Sequence, residues 1–182
     1  MKKIVLLIVL IPFIFAFQCD SETEPCGNFV EFQKPDLVTI ENPQETYELG
    51  DVLWLTSEVD RNQFSTETGA SIDLFQSNNQ LYYYIDLQKS SAYNGYFYLY
   101  LNENTTIIEH GEMESNNVIL VQEGNYFKSK IGIKLLEPGT YSINIYNIAS
   151  FNPNQVGCNF TAYSMITDFN GLDSNLFTFE VN

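Results

Sequence analysis

The side chains from which this 182-residue chain could build chemistry are few: one histidine, His110, three cysteines, and 23 aspartates and glutamates. His110 sits in Glu109-His110-Gly111-Glu112-Met113-Glu114, which reads as a polar turn. The expectation is a solvent-exposed loop histidine, not an imidazole joining carboxylates on a metal. Any Ser-His-Asp arrangement would depend on this one residue. No Gly-x-Ser-x-Gly elbow, Walker loop or dinucleotide fingerprint is present, and Cys19, Cys26 and Cys158 lack zinc-ribbon spacing. Carboxylates are abundant enough for a glycosidase-type pair. Such a pair is defined by a separation in space of about 5 to 9.5 Å, which a sequence does not supply. Asp168, Asn170 and Asp173 offer oxygen atoms at a spacing that calcium favours. The glycine between them is misplaced for an EF-hand, however, and the twelfth position is Phe179. The segment therefore reads as an Asx-type turn before the last strand. Calcium is the only cofactor the pattern leaves open.

The tyrosines make a stronger candidate. Tyr82 and Tyr84 alternate along one run, and Tyr96, Tyr98 and Tyr100 along another. If the two runs are neighbouring strands, five phenol rings line one sheet face. A phenol has an apolar body and a polar tip, which suits sugar rings and protein surfaces. The plainer reading of the same rings is cross-strand aromatic pairing with no ligand.

The elements that must position these residues are strands. Leu81, Tyr83, Ile85 and Leu87 alternate with Tyr82, Tyr84 and Asp86, and Tyr141, Ile143 and Ile145 form a similar stripe. In the run from Phe127 to Leu135, Phe127, Ile131, Ile133 and Leu135 share one face, with Lys128, Lys130 and Lys134 on the other. Period two over five to eight residues is the pattern of a half-buried strand. Turn signals such as Asn94-Gly95, Glu123-Gly124-Asn125 and Pro138-Gly139 separate the runs. The predicted strands are 29–33, 37–40, 51–59, 81–87, 96–101, 118–122, 126–135, 140–146 and 176–181, eight or nine in all. No long helical stripe is visible, and short strands at this spacing imply an all-β sandwich or barrel.

The N-terminus reads as an export signal. Lys2 and Lys3 precede an apolar run over residues 4–17, interrupted by Pro12. Fourteen residues fall short of the roughly 20 that a spanning helix needs, and proline breaks a helix, so residues 1–18 are expected to be removed on export. Residues 19–28 read as an acidic tether and 29–182 as a single domain. Loss of Lys2 and Lys3 takes the formal charge from −15 to −17. That charge repels phosphate backbones and anionic headgroups, so nucleic acid is not an expected partner.

Two resemblances sharpen this. Ala16-Phe17-Gln18-Cys19 resembles the lipobox of a bacterial lipoprotein, with Gln18 in place of the usual small residue. The following Asp20-Ser21-Glu22-Thr23-Glu24 resembles the surface-export tails of lipoproteins from Bacteroidota. The resemblance implies lipidation of Cys19 and a membrane partner reached through that lipid. It also implies an outer-membrane location, periplasmic or surface-facing. Ordinary cleavage near Ala16 would leave Cys19 a plain thiol. If Cys19 carries lipid, Cys26 is left to pair with Cys158 in an oxidising compartment; Cys19 with Cys26 is the competing pair. Glu137-Pro138-Gly139-Thr140-Tyr141-Ser142-Ile143 resembles the tyrosine corner of immunoglobulin-like domains. The stretch from Tyr47 to Leu55 resembles the entry to an early strand in bacterial modules of that kind. Together these imply an immunoglobulin-like antiparallel β-sandwich. The function they imply is a non-catalytic cell-envelope binding or adhesion module, with a protein or glycan partner. The alternative is an envelope glycan-active enzyme using a carboxylate pair.

Overall fold

The computed structural model describes residues 27–65, 69–77, 80–91, 95–152, 157–158 and 160–182. The predicted export signal, the predicted lipidation site Cys19 and Cys26 lie outside the described residues. In chain order the strands are β1 (Asn28–Gln33), β2 (Val38–Ile40), β3 (Thr46–Tyr47), β4 (Val52–Asp60), β5 (Asn62–Phe64), β6 (Ser71–Asp73), β7 (Gln80–Ser90) and β8 (Tyr96–Leu99). There follow β9 (Thr106–His110), β10 (Glu112–Glu114), β11 (Asn117–Glu123), β12 (Tyr126–Lys134), β13 (Gly139–Ile145), β14 (Ile148–Phe151), β15 (Thr161–Ile166) and β16 (Leu176–Val181). One turn of 3-10 helix, Leu74–Ser77, precedes β7.

The chain is an all-β sandwich. One layer is β2-β4-β12-β9, with β4 and β12 paired along their whole lengths. The other is centred on β7, whose eleven residues serve two strands on each edge. On one side β14 pairs with its start and β13 with its later half; on the other, β11 is followed by β8. β11 joins the layers: its first half pairs β7, and its end turns through Gly124 (φ 59°) into the hairpin with β12. The alternation fills the space between the layers. Leu53, Leu55 and Val59 of β4 and Phe127, Ile131 and Ile133 of β12 belong to the same buried cluster as Leu81, Tyr83, Ile85 and Leu87 of β7 and Tyr141, Ile143 and Ile145 of β13.

The tyrosine corner is present. The Tyr141 hydroxyl donates to the Glu137 carbonyl at 2.8 Å, and Ile143 is fully buried. The predicted strands all appear, with ends shifted by up to three residues. The strand count does not hold: sixteen strands occur among the described residues, not eight or nine. β3, β5, β6, β9, β10, β14 and β15 are the additions, six of them five residues or shorter. Such strands carry too few alternations to be recognised locally and are specified by the strand they pair with. The sandwich is also not wholly antiparallel, because β1 runs parallel to β15 and β3 parallel to β16. His110 is corrected too: it ends β9, opposite Lys130, and is not in an open turn.

Candidate functional site

The β7–β8 ladder sets Tyr98 opposite Gln88 and Tyr96 opposite Ser90. Side chains two apart on a strand share a face, so Tyr82, Tyr84, Asp86, Gln88 and Ser90 all lie on the side of β7 away from the core. On the opposite edge Tyr146 donates its backbone N–H to the Tyr84 carbonyl at 3.1 Å, and the two rings meet edge-on at 5.7 Å. One extra residue lies between β13 and β14: Ile145 faces Ile85, while Ala149, four residues on, faces Tyr82, three residues back. This is a one-residue bulge beside Tyr146. The Tyr84 phenol is held above its ordinary pKa, first by burial, then by the Asp86 carboxylate and the neighbouring Tyr100, Tyr146 and Tyr98. The ring cluster is therefore Tyr84, Tyr98, Tyr100 and Tyr146. Tyr96 extends it outward. Tyr82 instead meets Phe151 at 6.4 Å beside a hollow of about 290 Å³ that also touches Glu114 and Ile119.

Sequence reasoning missed three residues of this face. Tyr146 lay in a predicted strand, but its neighbour across the ladder was not predictable. Asn144 stands directly opposite Asp86. Asp86 itself has Tyr84 and Gln88 on either side along β7 and is only 7 % exposed. Its Oδ2 accepts from Gln88 Nε2 at 2.9 Å. Its Oδ1 and the Asn144 Oδ1 are buried without a hydrogen-bond partner. The available signal was an acidic residue in register with two tyrosines on a strand whose other face carries Leu81, Tyr83, Ile85 and Leu87.

Asn116 positions the β8 side of the face. Buried where β8 gives way to β11, it donates through Nδ2 to the carbonyls of Ile85 (2.8 Å) and Leu99 (3.0 Å) and accepts at Oδ1 from the Leu101 N–H (2.9 Å). These bonds fix the chain on either side of Tyr100.

The outer side of the other layer carries a charged groove. A hollow of about 430 Å³ is lined by His110, Glu123, Glu58, Lys128, Lys130 and Asp36 among others. His110 Nε2 lies 3.1 Å from Glu123 Oε2 without the alignment of a hydrogen bond. Lys128 Nζ is 3.3 Å from Glu58 and 3.9 Å from Glu123. Lys130 Nζ is 3.1 Å from Glu109 and 3.3 Å from Glu41, and its pKa is raised chiefly by the Glu109 contact. The lysines thus stand between the carboxylates and offset their charge.

Asp168 and Asn170 are engaged in holding the loop before β16 onto β2. Asp168 Oδ1 accepts from the Asp36 N–H at 2.8 Å, and Asn170 Nδ2 donates to Thr39 Oγ1 at 3.3 Å. Asp173 takes a positive φ of 49°. Among the described residues no three His, Cys, Asp or Glu side chains group so as to hold a metal ion. Among them, too, no helix is long and apolar enough to cross a membrane. Cys158 is exposed; its predicted partner Cys26 lies outside the described residues.

No protein-family model matches the chain, and no curated protein matches it. Among solved structures it is similar to the human F-spondin reeler domain (TM-score 0.37, 10% identity, 89% of this chain and 99% of that one). It is also similar to a PapD-like domain of human CEP192 (TM-score 0.32, 9% identity, 76% and 91%). A third is the non-cellulosomal cohesin of Archaeoglobus fulgidus (TM-score 0.27, 8% identity, 72% and 91%). These overlaps are loose, and the sandwich assignment stands on the strand ladders themselves.

Proposed function

We propose that this chain is a non-catalytic, lipid-anchored binding or adhesion module of the bacterial cell envelope, and that the tyrosine face engages its protein or glycan partner. The observation that carries the reading is the ring cluster. Tyr98 and Tyr100 are 65 % and 75 % exposed on the face where the Tyr84 and Tyr146 rings meet. Rings buried only to pair with one another would not leave so much apolar area in water. A lipid on Cys19 would hold the domain at the membrane. A Cys26–Cys158 bond would close its start: Asn28 faces Thr161 in the parallel ladder and donates to the Phe160 carbonyl at 2.8 Å, so that register supports the pairing.

The test is a screen of envelope glycans and purified envelope proteins against the wild type and a Tyr98→Ala/Tyr100→Ala variant. Both rings are exposed, so the variant keeps its core. Loss of about tenfold or more in affinity for a hit supports the face, as expected when central aromatic anchors are removed. Unchanged binding to every hit sinks it.

A second reading has one observation in its favour: Glu58, Glu123 and His110 line the same hollow. A glycan-active enzyme would use two such carboxylates as acid and base or nucleophile. Against it, Lys128 sits beside both glutamates. Release of reducing ends from envelope glycans by the wild type, lost in Glu58→Gln and in Glu123→Gln, would establish it. No release by the wild type disposes of it.

A further inference from the structure

We propose that the tyrosine face is a receptor for a cationic side chain, an arginine or lysine carried by a partner protein, which seats over Asp86. This rests on the binding-face reading and names the chemistry of the partner. Asp86 occupies the middle of the face. Tyr84 and Gln88 flank it along β7, and Asn144 stands opposite on β13. Extending the β7–β8 register past Leu87↔Leu99 brings Tyr100 opposite on the other side. A carboxylate this far from water is ordinarily supplied with donors on both oxygens, because an unmet one costs its full desolvation. Here only Oδ2 is met, by Gln88. The buried Oδ1 of Asp86 and the buried Oδ1 of Asn144 are both acceptors with nothing to accept from. Two acceptor oxygens thus stay open to further N–H donors, and a positive charge among those donors would offset that of Asp86.

The surrounding rings ask for the same thing. The face of a phenol ring carries negative potential and attracts a cation within about 6 Å of its centre. A guanidinium fits best, since its planar fork can bridge two acceptor oxygens while its face lies against a ring. Four of the protein's own cations are committed elsewhere: Arg61 to Asp73, Lys89 to Glu137, Lys128 to Glu58 and Lys130 to Glu109. The formal charge of −15 draws basic partners toward the domain.

The experiment titrates the protein with the peptide Gly-Arg-Gly-Arg-Gly and with its citrulline counterpart, which keeps the shape and loses the charge, and reads tyrosine ring shifts by NMR. Millimolar arginine peptide should shift the Tyr84, Tyr98, Tyr100 and Tyr146 signals. The citrulline peptide should bind about tenfold more weakly or worse, and raised salt should weaken the arginine peptide. Asp86→Asn should lose about tenfold. Tyr100→Ala, whose exposed ring cannot be needed for folding, should lose severalfold. Equal binding of the two peptides, or undiminished binding by Asp86→Asn and Tyr100→Ala, overturns the proposal. Should neutral chitobiose shift the same rings while the arginine peptide does not, the cation claim falls and the binding face stands. Should neither ligand touch the rings and the envelope screen also show no dependence on them, both fall together.

Discussion

Asn116 is 3 % exposed, and its amide serves Ile85, Leu99 and Leu101 at once. Replacing it with alanine would deprive the buried Ile85 carbonyl and Leu101 N–H, and the half-buried Leu99 carbonyl, of this partner. Leaving buried groups unpaired costs about 1–3 kcal/mol each before relaxation, so Asn116→Ala should lose about 2–4 kcal/mol in urea denaturation. It should also loosen Tyr98 and Tyr100, visible as broadened ring signals. Tyr83 supports a pH prediction. Its phenol is fully buried, and burial pushes its pKa from the ordinary 10.0 up to about 12, tempered by the Ser129 hydroxyl. Between those two values the unfolded chain gives up this proton and the folded one keeps it. The stability is thus fully present below pH 10 and is lost as pH climbs toward 12. Thermal melts should fall across that window, and Tyr83→Phe should flatten the fall. An equally steep decline in the variant would assign the effect to other tyrosines. Of these residue-scale features, Tyr83 was legible as an inward position of an alternating run. Asn116 was not, because its partners come from two stretches of chain remote in sequence, Ile85 on β7 and the Leu99–Leu101 segment after β8.

At the scale of elements, β12 and β4 show how closely two strands can be matched. Gly132 lies opposite Trp54, and a Cβ there would come within 2.6 Å of Val52 Cγ1 and 2.9 Å of Trp54 Cζ3. The Trp54 ring lies on the outer side, with the Lys130 ammonium 5.1 Å from its centre, so glycine clears room for an indole laid along the sheet. Gly132→Ala should destabilise by about 1–3 kcal/mol, the usual cost of overpacking, and should shift tryptophan emission as the ring is displaced. An unaltered emission spectrum and melting curve would count against this fit. The long strands were readable because each repeats its alternation several times. β9 was not: Thr106–His110 buries only Thr106, and it takes its strand form from the ladder to β12. For the same reason His110 read as a turn residue when it faces Glu123 across the groove.

At the scale of the whole molecule, two strand pairs run parallel, β1 with β15 and β3 with β16. A parallel pair needs a long crossover, and here the crossover between β1 and β15 is most of the domain. A bond between Cys26 and Cys158 would cross-link that loop and contribute about 4–5 kcal/mol in the chain-entropy model. The intact-mass spectrum of the protein, prepared without reductant, should therefore show these two cysteines blocked to alkylation until reduced, and Cys26→Ser should melt at a lower temperature. Free alkylation of both without reductant would remove the staple from the account.

The alternation of apolar and polar residues determined by itself that this chain is all β and which face of each long strand is buried, since a strand's period of two leaves no other way to hide those side chains. The tyrosine corner was legible for a related reason, because Tyr141 reaches a carbonyl only four residues away. Only the tertiary structure decided which strands lie side by side. That decision brings Tyr84 against Tyr146, sets Tyr98 beside them on the same face and draws Tyr82 away to Phe151. Contacts among residues as far apart as 84 and 146 depend on register and on a one-residue bulge, and neither is written in any local run of sequence.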